Sequence, residues 1–353
     1  MDNFNAKASI QEAHAPPASW YFQPEYQELE RHNIFAKQWL AVSRAEALVE
    51  PGHFVSGCTA QEPWVIVRQE GDQLKAFANV CRHNGTQVAS GHGRCRELVC
   101  PYHGWTYDLD GRLKKAPKLG ARDGFKREDY GLKEISVQTF GPLLLLNIQQ
   151  AAPPPKLAEL EQRLAAMSWQ NLRYVKSQSY TLECNWKVFV DNYLDGGYHV
   201  GHLHKNLASK IDLDSYQTEI FDKFSIQSVS GGDINDIRLG SDALYAWVYP
   251  NLMINRYGPM MDINTVTPLT PTTCRVDFDW YFDTSCENAF IEEAIQESQE
   301  VQDEDISICE SLQIGMGSSH YSPGPYAPKI EHAKYHFHRL LAADYGKALD
   351  SKT

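Results

Sequence analysis

Two short pairs of residues, each combining a cysteine with a histidine, constrain this chain more than any other feature of its sequence. The first pair is Cys81-Arg-His83 and the second is Cys100-Pro-Tyr-His103. Two ligands so close in sequence fit on one tight loop, so each pair defines a loop of its own. A fold that uses all four side chains must therefore bring two loops together around one metal centre.

The chemistry of the four side chains indicates an iron–sulfur cluster. Two thiolates and two imidazoles from separate loops are the ligands of a Rieske [2Fe–2S] cluster, in which histidines replace two cysteines on one iron and raise its reduction potential. Zinc is the alternative metal, but zinc fingers pair cysteine with cysteine and histidine with histidine. Because each pair here is mixed, Cys81, His83, Cys100 and His103 are predicted to bind the cluster.

The composition limits the class of protein and its partners. The chain has 353 residues, of which 42% are hydrophobic and 22% are charged, as in an ordinary globular protein of two domains. We expect no membrane span, which needs a run of about 18 apolar residues, and no signal peptide. The net charge of −12 disfavours nucleic acid as a partner and is compatible with a cationic small molecule.

The cysteines predict the compartment. Of the eight in the chain, two belong to the predicted cluster loops, and the other six show no spacing typical of a disulfide framework. Tyr102 stands where some Rieske proteins carry an additional cysteine that joins the two loops by a disulfide. We therefore expect a reducing compartment, either the cytoplasm or, if a transit peptide has been removed, the plastid stroma.

The distribution of helix and strand patterns predicts an α+β chain in three parts. Residues 1–40 show helical spacing of apolar side chains and form an N-terminal helical segment. Residues 41–150 contain short strand-like runs between Gly- and Asp-containing turns, which predicts a small all-β domain that carries both cluster loops. The proline run at 151–156 is a stiff linker within the start of the third part, residues 151–353. Helices of this part are predicted near 156–167, 184–199 and 287–316, and strands near 220–282.

A second metal site is predicted between residues 185 and 204. Three histidines and two aspartates fall within 14 residues of this segment. Two histidines and one carboxylate form the facial triad of mononuclear non-haem Fe(II) oxygenases, which leaves positions open for O₂ and substrate. The carboxylate must come from elsewhere in the chain. Asp305 is the candidate, because it shares the buried side of a predicted helix with Cys309, and a buried carboxylate needs a cation.

The motifs taken together resemble one protein family. They are the two Cys/His loops, Asn185-Trp-Lys-Val-Phe-Val-Asp-Asn-Tyr-Leu-Asp-Gly-Gly-Tyr-His199, and Glu304-Asp-x₄-Glu-x₂-Gln313. Such a set is similar to the α subunits of Rieske non-haem iron oxygenases, and the resemblance runs from about residue 20 to the C-terminus. Within the family the chain most resembles the choline monooxygenases, with which it also shares Tyr249-Pro-Asn and Arg256-Tyr-Gly-Pro.

The resemblance implies a fold and a role for individual residues. The fold would be a small all-β Rieske domain followed by a helix-grip (START-like) catalytic domain with an antiparallel sheet. His199, His204 and Asp305 would bind a mononuclear Fe(II). Asp195 would link this iron to a cluster histidine of a neighbouring subunit, which implies a homotrimer. The family more often has two residues between the bridging acid and the first histidine, whereas this chain has three, so Asp191 is the second candidate.

The resemblance also implies a reaction. A choline monooxygenase hydroxylates choline to betaine aldehyde hydrate, for glycine betaine synthesis, with O₂ and electrons from a ferredoxin or ferredoxin reductase. The alternatives are N-demethylation of another quaternary ammonium compound and aromatic-ring hydroxylation on the same scaffold. An electron carrier with a degenerate second domain is a further alternative, which the intact histidine and aspartate set disfavours.

Two groups of residues are candidates for recognition of the substrate and of the electron donor. Quaternary ammonium groups are held by aromatic faces, and Trp247, Tyr249 and Trp280 on predicted strands could form such a cage. Packing in an ordinary core is the alternative for each of them. The basic segment Arg112–Arg127 carries seven Lys or Arg residues against one acid, Asp123, and could dock an acidic donor. An ordinary solvated loop is the alternative interpretation of this segment.

Overall fold

The computed structural model describes residues 4–231, 237 and 240–350, and its chain divides into two compact units. One unit is Ile34–Pro154, and the other combines the chain up to Asn33 with the chain from Pro155 onward. The division therefore falls within the proline run that was predicted as a linker. The N-terminal helical residues are not a separate segment, because buried Trp20 and Tyr26 pack their rings against Tyr345 near the C-terminus.

The first unit is built from antiparallel strands. A seven-stranded sheet has the order β1-β10-β9-β4-β3-β2-β5, and a small three-stranded sheet has the order β6-β7-β8. The strands are β1 Leu40–Arg44, β2 His53–Thr59, β3 Glu62–Arg68, β4 Leu74–Ala78, β5 His92–Arg94, β6 Leu98–Val99, β7 Thr106–Tyr107, β8 Leu113–Lys115, β9 Glu134–Phe140 and β10 Leu143–Asn147. Short 3₁₀ turns lie at Ala45–Ala47, Glu70–Asp72 and Arg127–Tyr130.

Strand β3 shows why this sheet is buried on both faces. Its side chains alternate, so that Trp64 and Ile66 enter one hydrophobic cluster while Val65 and Val67 enter another. The hydrophobic cluster of Val65 and Val67 also contains Cys81, Cys100, Trp105 and Tyr107. The sheet face formed by Val65 and Val67 is thus the support on which both cluster loops rest.

The second unit is a single antiparallel sheet with helices. Its seven strands have the order β11-β17-β16-β15-β14-β13-β12. The strands are β11 Leu172–Leu182, β12 Ile211–Ile220, β13 Phe224–Gly231, β14 Ala243–Val248, β15 Leu252–Tyr257, β16 Met260–Thr270 and β17 Thr273–Asp283. The helices are α1 Ser19–Phe22, α2 Pro24–Glu30, α3 Ala158–Ala166, α4 Trp186–Tyr193, α5 Val200–Leu203, α6 Lys205–Ala208, α7 Asn288–Met316 and α8 His332–Asp350. A π-helical turn, Arg31–Phe35, and a 3₁₀ turn, Trp169–Asn171, complete the elements.

Two of the three predicted helices of this unit agree closely with the structure, and one is shorter. The helix predicted at 184–199 ends at Tyr193, because Gly196 and Gly197 adopt left-handed backbone angles with φ of 75° and 76°. A side chain at Gly196 would also lie 2.4 Å from the carbonyl oxygen of Ile330. The chain therefore turns sharply after α4 and begins the short helix α5 at Val200.

A buried ion pair joins α2 to α4. Lys187 and Glu30 are 0% and 1% exposed, and Lys187 Nζ lies 2.5 Å from Glu30 Oε1. The other oxygen of Glu30 accepts a hydrogen bond from Trp186 Nε1 at 2.7 Å, and Tyr345 of α8 donates to Oε1 at 2.5 Å. Because every polar atom in this contact has a partner, the N-terminal and C-terminal helices are held against α4.

No helix within the described part of the chain combines the length and the apolar character that crossing a membrane requires.

Removal of one partner of the buried Glu30–Lys187 ion pair tests the contribution of this pair to stability. Glu30→Ala leaves the Lys187 ammonium buried without its carboxylate, and we expect a loss of about 3–5 kcal/mol in the free energy of unfolding. Glu28→Ala is the matched control, because Glu28 is an exposed acid of the same helix and its pair with Arg31 should contribute less than about 1 kcal/mol. Urea unfolding followed by fluorescence measures both. Equal midpoints for the two variants would contradict the prediction.

Candidate metal centres

The two Cys/His loops have the same backbone construction. In the first loop the N–H of Gly85 donates to the carbonyl of Cys81 at 2.9 Å, and in the second the N–H of Gly104 donates to the carbonyl of Cys100 at 3.0 Å. Both glycines have positive φ, 85° and 69°, which other residues adopt only with strain. Each loop therefore closes on itself in the same way and holds its cysteine and histidine on one tight turn.

The structure brings the four predicted cluster ligands together. Cys81 and Cys100 are buried in the hydrophobic cluster beneath the loops, whereas His83 and His103 are exposed above it. The two Nδ1 atoms are 3.1 Å apart, and the ring centroids are 4.6 Å apart. This arrangement fits a [2Fe–2S] cluster with thiolates on the inner iron and imidazole Nδ1 atoms on the outer iron.

Two aromatic residues that sequence reasoning did not assign surround these ligands. The Tyr107 hydroxyl is 3.4 Å from Cys81 Sγ and accepts the N–H of Arg82 at 2.9 Å, which leaves its own proton for the sulfur. Burial raises the pKa of Tyr107, and the hydrogen bond to Cys81 raises it further, so the hydroxyl stays protonated. Trp105 stacks on His83 with ring centroids 5.0 Å apart. Hydrogen bonds and burial of this kind tune a cluster's reduction potential.

The second unit holds a triad of metal-ligand side chains. Asp305 Oδ1 lies 3.1 Å from His204 Nε2 and 3.8 Å from His199 Nε2. A ligand atom from each of the three residues lies within 4.8 Å of the others. The third histidine of the sequence segment, His202, is exposed and outside this group. Two imidazoles and a carboxylate at this spacing fit a mononuclear Fe(II) with open coordination positions.

Hydrogen bonds between α7 and the segment before α4 set the position of Asp305. The backbone N–H of Glu183 donates to Glu310 Oε1 at 3.0 Å, and that of Asn185 donates to Gln313 Oε1 at 2.9 Å. These two acceptors, Glu310 and Gln313, are the second Glu and the final Gln of the Glu-Asp-x₄-Glu-x₂-Gln motif. They hold α7 in register with α4, so that Asp305 faces the histidines.

Each ligand of the triad has a further hydrogen-bond partner. Asp195 Oδ2 is 2.7 Å from His199 Nδ1, and Glu304 Oε2 is 2.6 Å from His204 Nδ1. Asn192 Nδ2 donates to Asp305 Oδ1 at 2.7 Å. The carboxylates hold the Nδ1 protons, which directs both Nε2 lone pairs toward the shared point. Sequence reasoning missed Glu304 and Asn192, although each stands beside a residue that it singled out.

The electrostatics of the triad favour a cation. Burial lowers the pKa of His204, but hydrogen bonds and charge interactions with Asp305 and Glu304 outweigh burial and raise it above its usual value. A raised imidazole pKa shows that the surrounding carboxylates stabilise positive charge at this point. A divalent metal supplies that charge while it leaves the imidazoles neutral.

The two candidate bridging acids lie in different environments. Asp195 contacts His199 and also accepts the backbone N–H groups of Tyr198 and His199, both at 3.1 Å. Asp191 accepts a hydrogen bond from Tyr21 at 2.7 Å, and its other oxygen is 2.7 Å from His338 Nε2. The structure thus brings Asp195 into contact with His199, a predicted iron ligand, and directs Asp191 toward α8 and the N-terminal helices.

A cavity of about 180 Å³ adjoins the triad. It lies between the sheet and the elements that carry the ligands, and His199, His204 and Asp305 form part of its wall. Aromatic side chains contribute much of the remaining wall. They are Phe189, Tyr193, Tyr216, Tyr245, Tyr257 and Phe278.

The aromatic residues predicted to cage the substrate do not line this cavity. Trp247 is fully buried against Phe337 of α8, Tyr249 donates to Asp344 at 2.9 Å, and Trp280 donates to Ser298 at 3.1 Å. The alternation of side chains along β14 and β17 identified the correct face of the sheet, but each of these strands borders the cavity at one residue only. Tyr245 and Phe278, on the same strand faces, are those residues.

The basic segment Arg112–Arg127 lies on the unit that carries the cluster loops. Its apolar residues Ala116, Leu119 and Phe125 pack against the hydrophobic cluster that contains both cysteines. All seven of its basic residues are exposed. Glu97, outside the segment, pairs with Lys114 at 2.9 Å and Lys115 at 3.6 Å, and so offsets part of the charge.

Comparison with known families agrees with both centres. Residues 38–140 match the family described as Rieske [2Fe-2S] domain, and residues 169–237 and 233–347 match the family described as ring hydroxylating alpha subunit (catalytic domain). The chain therefore belongs to the Rieske non-haem iron oxygenase α subunits, whose cofactors are a [2Fe–2S] cluster and a mononuclear iron. The predictions of family, fold class and cofactors are confirmed.

Within this family, the chain is similar to several proteins whose names refer to quaternary ammonium compounds. Chloroplastic choline monooxygenase of Arabidopsis thaliana is 42% identical over 97% of this chain and 85% of its own length. The carnitine monooxygenase oxygenase subunit of Escherichia coli K12 is 27% identical, with 96% of each chain covered. The crystal structure of a quaternary ammonium Rieske monooxygenase in complex with L-carnitine has a TM-score of 0.86 at 25% identity, covering 98% of this chain and all of the other.

Removal of Asp305 tests the assignment of the triad. In Asp305→Ala the iron loses its carboxylate ligand, so the iron content should fall from about three to about two per chain, while the visible spectrum of the cluster stays unchanged. Asp303→Ala changes an exposed acid two positions away and should keep the full iron content. Iron analysis combined with the visible spectrum measures both properties. An unchanged iron content in Asp305→Ala would overturn the assignment.

Proposed function

We propose that this Rieske non-haem iron monooxygenase oxidises choline at its CH₂OH carbon and produces betaine aldehyde hydrate for glycine betaine synthesis. One atom of O₂ enters a C–H bond as a hydroxyl group and the other leaves as water, with two electrons from a protein donor and two protons from solvent. The bound iron would supply O₂ activation, and the cluster would supply the electrons.

The charge of the cavity beside the triad is the observation that carries this proposal. Besides the three ligands, its described wall includes four acidic residues, which are Asp262, Glu297, Glu300 and Glu304. Lys210 is the one Lys or Arg residue among the described lining residues, and Glu297 holds its Nζ at 2.7 and 2.8 Å. A wall of this composition attracts a cationic substrate and repels a carboxylate.

The neutral part of the wall also suits a quaternary ammonium group. Such a group has no N–H to donate, so it is recognised by aromatic faces and by oxygen atoms that carry partial negative charge. Tyr216, Tyr245 and Phe278 provide aromatic faces. Gln227 Oε1 and Asn264 Oδ1 are buried oxygens of lining residues that have no hydrogen-bond partner among the described residues.

The proposed residue roles follow the geometry of the two centres. Cys81, Cys100, His83 and His103 would bind the cluster, and the triad of His199, His204 and Asp305 would bind the iron. Asp195 would connect the iron ligand His199 to the cluster of a neighbouring subunit in a homotrimer. Its 2.7 Å contact with His199 Nδ1 supports this role.

The printed names of relatives support this substrate class and also define the alternatives. One relative is a choline monooxygenase and another is a carnitine monooxygenase subunit, and both names refer to quaternary ammonium compounds. Carnitine carries a carboxylate, which the acidic wall would disfavour. Aromatic-ring hydroxylation would place an apolar ring against the same buried carboxylates and amides. Oxidation of a cationic alcohol suits the wall better than either alternative.

The proposed electron donor is a ferredoxin or a ferredoxin reductase. An acidic donor would be repelled by a chain with a net charge of −12 unless it met a local basic surface. The exposed basic segment Arg112–Arg127 is such a surface, and it packs on the core beneath the cluster loops. We place the reaction in the cytoplasm or the plastid stroma, and the chloroplastic name of the Arabidopsis relative supports the second location.

Oxygen uptake with a panel of substrates tests the proposed reaction. With a reducing system present, choline should give one aldehyde per O₂ consumed, whereas L-carnitine, glycine betaine and benzoate should show kcat/KM values lower by about 100-fold or more. Chemical assay for betaine aldehyde and formaldehyde identifies the product. Formaldehyde release coupled to O₂ uptake would instead show N-demethylation, and coupling to benzoate alone would show aromatic-ring hydroxylation.

Charge reversal tests the docking surface. The double variant Lys114→Glu/Lys115→Glu should slow reduction of the cluster by an acidic ferredoxin about tenfold or more at low salt, because association between opposite charges is steered electrostatically. The visible spectrum of the cluster should not change. Lys156→Glu alters an exposed lysine outside the segment and serves as the control. Stopped-flow reduction that is equally fast and insensitive to salt in the double variant would contradict the docking site.

A further inference from the structure

The amide nitrogen of Gln302, on α7, is buried and has no hydrogen-bond partner among the described residues. The residue as a whole is 3% exposed. Gln302 also belongs to the wall of the cavity beside the triad. Buried polar groups in proteins are nearly always hydrogen-bonded, so an unpaired amide on a cavity wall points to a ligand.

The position of Gln302 on α7 places this amide beside the iron ligands. It precedes Asp305 by three residues, and residues three apart share one face of a helix with Cβ atoms about 5–6 Å apart. Cys309, buried on the same face, continues this row away from the cavity. The amide therefore borders the part of the cavity in which the reacting carbon of a substrate must lie.

Another buried glutamine on the same helix shows what a purely structural amide looks like. Gln313 accepts the N–H of Asn185 through Oε1 at 2.9 Å and donates through Nε2 to the carbonyl of Tyr21 at 3.3 Å. Both ends of that amide are thus used to hold the fold together. Gln302 contributes no such bond with the described residues, although it is buried to the same degree.

We propose that the Gln302 amide recognises the hydroxyl group of the substrate and thereby holds the CH₂OH carbon next to the iron. This inference rests on the function proposed above. A trimethylammonium group can neither donate nor accept a hydrogen bond, so an amide is of use only to another polar part of the substrate. A hydroxyl can pair with either end of the amide. A carboxylate in the same place would meet Asp305 and Glu304, which are negatively charged.

A ligand that lacks only the hydroxyl group separates this role from binding of the cation. Choline and ethyltrimethylammonium share the trimethylammonium group and differ in that hydroxyl. Anaerobic calorimetry on the iron-loaded protein measures the dissociation constant of each. In the unchanged enzyme, choline should bind about tenfold more tightly than ethyltrimethylammonium, whereas Gln302→Met should reduce this preference to less than about twofold. Binding of ethyltrimethylammonium itself should be little altered.

Gln313→Met is the matched control on the same helix. It breaks two hydrogen bonds that hold α7 against its neighbours, so it should lower the melting temperature of the ligand-free protein. Gln302→Met breaks no hydrogen bond to a described residue and should not lower the melting temperature. This combination distinguishes recognition of the substrate from a structural role.

The outcomes separate this inference from the function on which it rests. An unchanged preference for choline in Gln302→Met, or a melting temperature lowered as in Gln313→Met, overturns the role of Gln302. Equal binding of the two ligands by the unchanged enzyme also overturns it, while a quaternary ammonium substrate remains supported. Failure of both ligands to bind the unchanged enzyme overturns the choline function itself and this inference with it.

Discussion

The register between α4 and α7 is the constraint on which the catalytic unit depends. Three side chains of α7 reach the same stretch of chain: Glu310 and Gln313 accept backbone N–H groups just before α4, and Asp305 accepts from Asn192 near its end. A shift of one residue along either helix would turn the carboxylate away from the histidines. The buried Glu30–Lys187 pair holds α4 from its other side. The iron site is thus a consequence of helix packing that is anchored at several points.

The two metal centres use burial in opposite ways. In the cluster unit the predicted cysteine ligands are buried and the predicted histidine ligands are exposed, so this site lies close to the surface of its unit. In the catalytic unit the carboxylates Asp195, Glu304 and Asp305 contact the imidazoles, and Glu304 and Asp305 also line the cavity beside them. That charge favours a bound metal, and in the proposed function it also selects a cationic substrate. One arrangement of carboxylates therefore supports both metal binding and the proposed specificity.

Sequence reasoning grouped the same side chains that the structure brings together wherever the grouping depends on local spacing. The cluster ligands lie on two tight loops, and Asp195 and His199 lie on one turn, so their geometry is nearly decided by neighbours in the chain. It was wrong about the aromatic wall of the cavity. Trp247, Tyr249 and Trp280 were chosen from alternation along strands, which identifies a face of the sheet. Alternation does not tell where along that face a cavity opens, and α8 covers Trp247 instead.

The sequence alone determined the kind of metal chemistry, because the types and spacings of ligand residues restrict which metals they bind. It also indicated the boundary between the all-β part and the mixed part, through the change of pattern at a proline run, although it set residues 1–40 apart as a segment of their own. Only the tertiary structure decided the shape and charge of the cavity and the pairing of His204 and Asp305 with their outer hydrogen-bond partners. Those features join residues about a hundred positions apart, as in His204 with Glu304. Contacts over such distances depend on how helices and strands pack, which no local pattern encodes.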